Sequence, residues 1–189
     1  MNAEPGPKRG PIKVTTPAAF PEVLSVGALD DEGKIRPYSE WNSRLMKPDI
    51  FMSDDLAGTP MASGLRLQDP NMPLLGSGFS AVHAVATAAL VWSLLPEYPP
   101  KKVRKLLEDA AEPMPRTKAR RLTMDAAINL ARRRLVEEAL QEGPASLQTL
   151  SAITGLEGRI LSSILEQDGL AVRLSGGRLE RFQLAPRGQ

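Results

Sequence analysis

Residues 17–28 read Pro-Ala-Ala-Phe-Pro-Glu-Val-Leu-Ser-Val-Gly-Ala, and with Leu29 they run into the turn-forming Asp30-Asp31-Glu32-Gly33. The apolar run Glu22 to Leu29 is short, rich in Val and Leu, and does not alternate, which predicts a strand buried on both faces. Such a strand needs parallel neighbours and covering helices, so this stretch points to an α/β fold. From Lys34 to Pro73 the chain is irregular, broken by Pro, Gly, Asn and Asp, and only Asp49 to Met52 has the composition of a further strand.

The second deciding stretch is Ser77 to Leu95, which has no polar face and carries small residues such as Gly78, Ala81, Ala84 and Ala88. This predicts a helix buried at a domain centre, where small side chains let other backbones approach. Its apolar part, Phe79 to Leu95, is 17 residues long, contains His83, Thr87 and Ser93, and falls slightly short of a typical membrane span. Pro99 and Pro100 suit the start of a second helix, with Val103, Leu106, Leu107 and Ala110 at helical spacing and a stop before Pro113. A third helix is expected from about Thr123 to Glu142, ended by Gly143-Pro144.

Beyond Pro144 the pattern changes. Leu147, Leu150 and Ile153, then Gly155, then Ile160, Leu161, Ile164 and Leu165 predict two short helices joined by a turn. Ala171 to Leu174 and Arg178 to Leu184 flank Ser175-Gly176-Gly177 as two strands flank a hairpin turn. Helices followed by a hairpin predict a small winged helix-turn-helix domain at 135–189, after a first domain at 1–134.

Composition sets outer bounds. The 189 residues are 42% hydrophobic and 24% charged, as in soluble globular chains, and the start lacks the apolar core of a secretory signal. A cytoplasmic protein without membrane contact is expected. With no cysteine and one histidine, disulfides, thiol nucleophiles and conventional transition-metal sites are excluded, and no cofactor or metal is expected. Asp30, Asp31, Asp54 and Asp55 read as solvated loop acids rather than a calcium site. A net charge of +2 carries no argument for nucleic acid, although basic residues cluster from Arg116 to Arg134. Glu137, Glu138 and Glu142 can pair with that cluster at helical spacing, which predicts a solvated helix face.

Four segments together resemble the subtilisin-like serine peptidases, the subtilase family. Pro17 to Ala28 is similar to the family's P-A-x-x-P-x-V-x-x-V-G-A segment, and Lys47-Pro48-Asp49-Ile50 to its K-P-D-I/V step. Val103 to Ala111 resembles its late V-x-x-x-L-x-x-T-A helix, and Arg121 to Ala127 its closing segment, all in the family's order. The resemblance covers about residues 15–132. It implies a partial subtilisin-like parallel-sheet domain, the helix-rich C-terminal half.

In that family the nucleophilic serine lies in G-T-S-M/F-A/S at the start of the central helix, where the helix N-terminus stabilises developing negative charge. The matching residues here are Gly76-Ser77-Gly78-Phe79-Ser80, and the family's non-catalytic helix histidine falls on His83. This register puts Gly78 at the nucleophile position, so the resemblance implies no catalytic residue there. Sliding to Ser77 or Ser80 loses His83 and the apolar pattern, and Ser77 reads as a helix N-cap. A near-match at Gly58 to Ser63 puts Pro60 at the nucleophile, and the A-P-G expected after K-P-D-I is replaced by Phe51-Met52-Ser53. The family's catalytic aspartate and histidine have no counterpart in this sequence, and Asn2 is the candidate oxyanion-hole residue.

The resemblance therefore implies a non-catalytic subtilase part, with two origins open. Another polypeptide supplies the missing half, or the chain is a decayed remnant. An active endopeptidase completed by that partner is the alternative. The winged helix adds a protein-docking reading and a DNA-binding one. Arg159 and Ser162 on the second helix of the turn and Arg173, Arg178 and Arg181 on the wing are the candidate contacts for either.

Overall fold

The computed structural model describes residues 14–39, 41–42, 44–54, 76–115, 117–166, 170–174 and 181–185. Asn2, Asp55, the Gly58–Ser63 near-match, Arg116 and the hairpin turn with Arg178 lie outside the described residues. The fold is α/β. Strands β1 (Val26–Leu29), β2 (Ile50–Ser53), β3 (Glu112–Pro113) and β4 (Arg120–Arg121) form a mixed, mostly parallel sheet in the order β1-β2-β4-β3. β1 pairs with β2 and β2 with β4 in parallel, whereas β3 and β4 are antiparallel. Five helices are described: α1 (Ser77–Leu94), α2 (Pro100–Ala110), α3 (Met124–Gln141), α4 (Leu147–Thr154) and α5 (Gly158–Glu166).

The chain divides into two compact units. One runs up to Leu90 and resumes over Pro99–Ala127, and the other joins Val91–Tyr98 to the chain from Ile128. The division falls within α3, upstream of 134/135 and inside a helix that is continuous across both points.

In the first unit, β1 begins at Val26 rather than Glu22, because the residues before it are turned: the Val23 N–H donates to the Phe20 carbonyl. β2 is displaced by one residue from the expected 49–52, since Asp49 serves as a polar anchor described below. Phe51 is fully buried and meets Trp41 edge-on, with ring centroids 5.6 Å apart. Burial of one such ring contributes roughly 1.5–3 kcal/mol. Gly27 makes room for it, because a Cβ at that position would lie 2.3 Å from the Phe51 ring. The glycine of the V-G-A step is thus fixed by packing.

Helix α1 departs from the expected buried helix. Ser80, Ala84, Thr87 and Val91 form its buried stripe, but the opposite face is open, with Val82 57% and Val85 69% exposed. Leu90 and Trp92 continue this face. By length and composition alone the helix could cross a membrane, while His83 ties it to the end of β2.

α2 starts with Pro100 in its first turn and buries Val103, Leu106 and Leu107. Thr123 precedes α3 and caps it, its hydroxyl accepting from the Ala126 N–H at 3.2 Å.

In the second unit, Ser146 caps α4 by accepting from the Thr149 N–H, and Gly155 closes the helix in a left-handed conformation with φ +69°. Strands β5 (Ala171–Leu174) and β6 (Arg181–Leu184) form an antiparallel ladder, and Ala145 adds a bridge to Phe182 through two backbone hydrogen bonds. Val136, Leu140, Leu150, Leu161, Leu165 and Phe182 make the aliphatic-rich core of this unit.

Candidate functional site

The start of α1 carries the nucleophile question. Gly76 stands just before the helix, and its carbonyl accepts from the Phe79 N–H at 2.9 Å. Ser77 is the first helical residue rather than the N-cap expected of it, so the cap place falls on Gly76. Gly78 is exposed, and a Cβ added to it would meet nothing within 4 Å. Packing does not demand glycine there. Ser80 is fully buried and its hydroxyl has no hydrogen-bond partner, so it is sealed from any substrate.

His83 lies about a turn and a half further along α1, with Nδ1 2.9 Å from the Ser53 carbonyl. A carbonyl can only accept, so Nδ1 carries a proton and donates to it. The imidazole borders a cleft of about 410 Å³ at the carboxyl ends of β1, β2 and β4, whose floor includes Leu29, Met52 and Leu122. Asp31, Arg121 and Thr123 stand on its rim. A second cleft of about 740 Å³ shares Glu32, Gly33 and Arg121 and continues past Met114 on the β3–β4 side.

Two polar knots hold the elements around this site. In the first, the Lys47 ammonium donates to the carbonyls of Phe20 and Val23 at 3.1 and 2.9 Å and to Asp49 at 2.8 Å. Asp49 also accepts from the Ser25 N–H and hydroxyl at 2.7 and 2.8 Å, and from Arg104 at 3.4 Å. Arg104 reaches the Pro21 carbonyl as well. One buried ion pair therefore ties the 17–28 segment, the Lys47-Pro48-Asp49-Ile50 step and helix α2, which explains why these three stretches occur together.

In the second knot, Asp54 accepts from Arg36 Nε and Nη2 at 3.2 and 3.0 Å and from the Tyr38 hydroxyl. Asp54 is fully buried, which corrects its reading as a solvated loop acid; carrying that charge inside requires the guanidinium beside it. Tyr38 is 46% exposed as a residue, but desolvation of its hydroxyl beside the enclosed Asp54, then the bond to that carboxylate, pushes the phenol up to about 12. Sequence reasoning missed this cluster, because its members are spread over an irregular stretch without periodicity.

A family model described as the subtilase family matches residues 8–142. The chain belongs to the subtilase family. No curated protein and no solved structure matches it. The match takes in every segment of the expected resemblance and both knots of this subtilase chain.

The candidate residues of the second unit are less convergent. Arg159 is exposed at the start of α5, and Ser162 on the next turn is partly buried. The ladder register pairs Arg173 with Phe182 and Leu174 with Arg181. Directly opposed residues share a face and successive ones alternate, so Arg173 and Arg181 project from opposite faces. Arg173 lies over the Phe182 ring, 5.8 Å from its centroid. In the basic run, Arg133 and Arg134 both pair with Glu137, at 3.2 and 2.8 Å, but Glu137 is largely covered and Arg132 Nε is buried without a hydrogen bond, so the face is only partly solvated.

Proposed function

We propose that this subtilase-family chain is a non-catalytic pseudopeptidase part that works by binding. The observation that carries the reading is Gly78, which stands where the family's nucleophile stands, at an exposed helix start with space for a side chain. Ser80 is sealed, and Ser77 lies one residue before the position on the exposed helix start. The open apolar face of α1 supports a role for a further polypeptide: an α/β sheet of parallel strands is covered on both sides, and Val82, Val85 and Leu90 await such cover. That polypeptide would supply the upstream part of the domain. The second unit, with two short helices, an antiparallel hairpin and the Ala145 bridge to it, fits a winged-helix docking module. Its opposed arginines favour protein over DNA as its partner.

The test is a fluorophosphonate probe, which labels activated serines. The wild-type chain is expected to remain unlabelled, with no turnover of a fluorogenic peptide. Labelling that disappears in Ser77→Ala would instead make the chain an endopeptidase with a displaced nucleophile. Salt-sensitive duplex binding lost in Arg173→Ala and Arg181→Ala together would support a DNA-binding regulator in place of the docking role.

A further inference from the structure

β1 is an edge strand of its sheet, and part of its outer side is open. In the parallel ladder the Ile50 N–H donates to the Ser25 carbonyl and the Asp54 N–H to that of Leu29, so Ser25, Gly27 and Leu29 turn their backbone groups towards β2. Leu24, Val26 and Ala28 turn theirs the other way. At Ala28 the chain covers itself: the Arg36 N–H donates to the Ala28 carbonyl at 3.0 Å, and the Ser39 hydroxyl accepts from the Ala28 N–H at 2.8 Å. The Ser39 N–H donates in turn to the Arg36 carbonyl, so the ladder on this side stops there. The N–H and C=O groups of Leu24 and Val26 have no hydrogen-bond partner among the described residues, and both residues are partly exposed.

We propose that this edge takes an extended, apolar strand of the polypeptide that completes the domain, an inference that rests on the reading above. The unpaired groups define the occupant. Donor and acceptor recur at alternate residues, about 7 Å apart, and another extended backbone matches that spacing. The strand needs apolar side chains on both of its faces, because Ser25, Gly27, Ala28 and Leu29 are buried and both faces of β1 are therefore covered. It runs beside Leu24 and Val26 and ends or turns at Ala28, where Arg36 and Ser39 hold the place. The start of this chain is a poor substitute: Met1 to Pro11 contains three prolines and two glycines, which strands avoid. Two copies of β1 could pair antiparallel about Ser25, but only over these two residues, a contact far smaller than a stable dimer needs.

The probe is a capped heptapeptide in which valine alternates with threonine between two lysines, titrated into the whole chain and followed by backbone amide resonances. The Leu24 and Val26 amides are expected to exchange quickly in the free chain, then to shift saturably with the peptide and to slow by about tenfold or more. The same peptide N-methylated at every central residue should have no effect, since it keeps the side chains and loses the donors. Val26→Pro removes an N–H that points away from β2, so β1 and β2 should keep their protection while the peptide response is lost. If that variant does not fold, the N-methylated peptide decides the matter with the wild-type chain. No response, an equal response to the N-methylated peptide, or slow exchange of Leu24 and Val26 already in the free monomer would overturn the proposal, the last by showing that the chain covers its own edge. Slow exchange that arises only on concentration, with a dimer in sedimentation, would overturn it by giving the edge to a second copy. None of these results bears on fluorophosphonate labelling, so the two readings fail separately.

Discussion

Both units of this chain bury an aliphatic core, but the first adds ionic anchors for which the second shows no counterpart among the described residues. In the first, the anchors are ionic: Lys47 with Asp49, and Arg36 with Asp54, sit largely out of water and each carboxylate accepts from several donors. These knots stand beside an apolar core in which Leu29, Ile50, Phe51, Leu107 and Leu122 are almost fully buried. In the second, the anchors are aliphatic, with Val136, Leu150 and Leu161 wholly buried and a Tyr98–Glu138 bond at the surface. Ionic knots are directional and fail abruptly when one member goes, because the remaining charge is stranded. Aliphatic cores fail gradually, by the volume removed.

The comparison breaks most sharply at Asp49. Replacing it with Ala leaves the Lys47 ammonium, 8% exposed, among carbonyls with no counter-charge. A loss of about 3–5 kcal/mol is expected, confined to the first unit. Hydrogen exchange should show β1 and β2 losing protection while α4 and α5 keep theirs; equal loss in both would mean that the units are one cooperative body. Leu161→Ala is the converse. It removes a fully buried side chain from the second core and should cost about 2–5 kcal/mol, read as lost protection in α4 and α5 with β1 and β2 unchanged.

A smaller effect tests packing inside the first unit. Gly27→Ala drives a methyl into the Phe51 ring, which touches Trp41, and overpacking of this kind costs about 1–3 kcal/mol. In a Trp92→Phe background Trp41 is the sole indole, so its fluorescence follows urea unfolding of the first unit alone. A midpoint equal to that of the parent would show that the ring moves aside without strain.

These residues also mark how far the sequence could be read. β1, β2 and all five helices were legible, because runs such as Val26–Leu29 and the spaced Val103, Leu106 and Leu107 carry burial in their pattern. β3 and β4 were not: Glu112-Pro113 and Arg120-Arg121 are two residues each and show no alternation. Asp54 was misread for a related reason. Its partners Arg36 and Tyr38 come from a loop, and nothing local distinguishes a buried loop acid from a solvated one. The exposed side of α1 escaped because an all-apolar helix predicts burial, whereas the described residues cover one face of it.

The finest distinction between the units is readable in their tyrosines, two in the chain and one in each unit. Tyr38 donates to Asp54 and Tyr98 to Glu138, and both phenols are pushed up to about 12, first by burial and then by the bond to the carboxylate. A raised acid is stabilised in its neutral form by the fold. That stabilisation is complete below the unfolded value of about 10 and is lost as pH rises from there to about 12. Absorbance at 295 nm should therefore show no phenolate at pH 10.5, where a free tyrosine would already be mostly ionised. Tyr38→Phe should remove the alkaline sensitivity of the first unit and leave that of the second, and Tyr98→Phe the reverse. Glu138 lies at the surface, within reach of water, whereas Asp54 is enclosed and held by Arg36, so the Tyr98 contribution should weaken with added salt more than that of Tyr38. A titration midpoint near 10 for either tyrosine would show that its carboxylate bond does not persist in solution, and would remove that residue from the account of its unit.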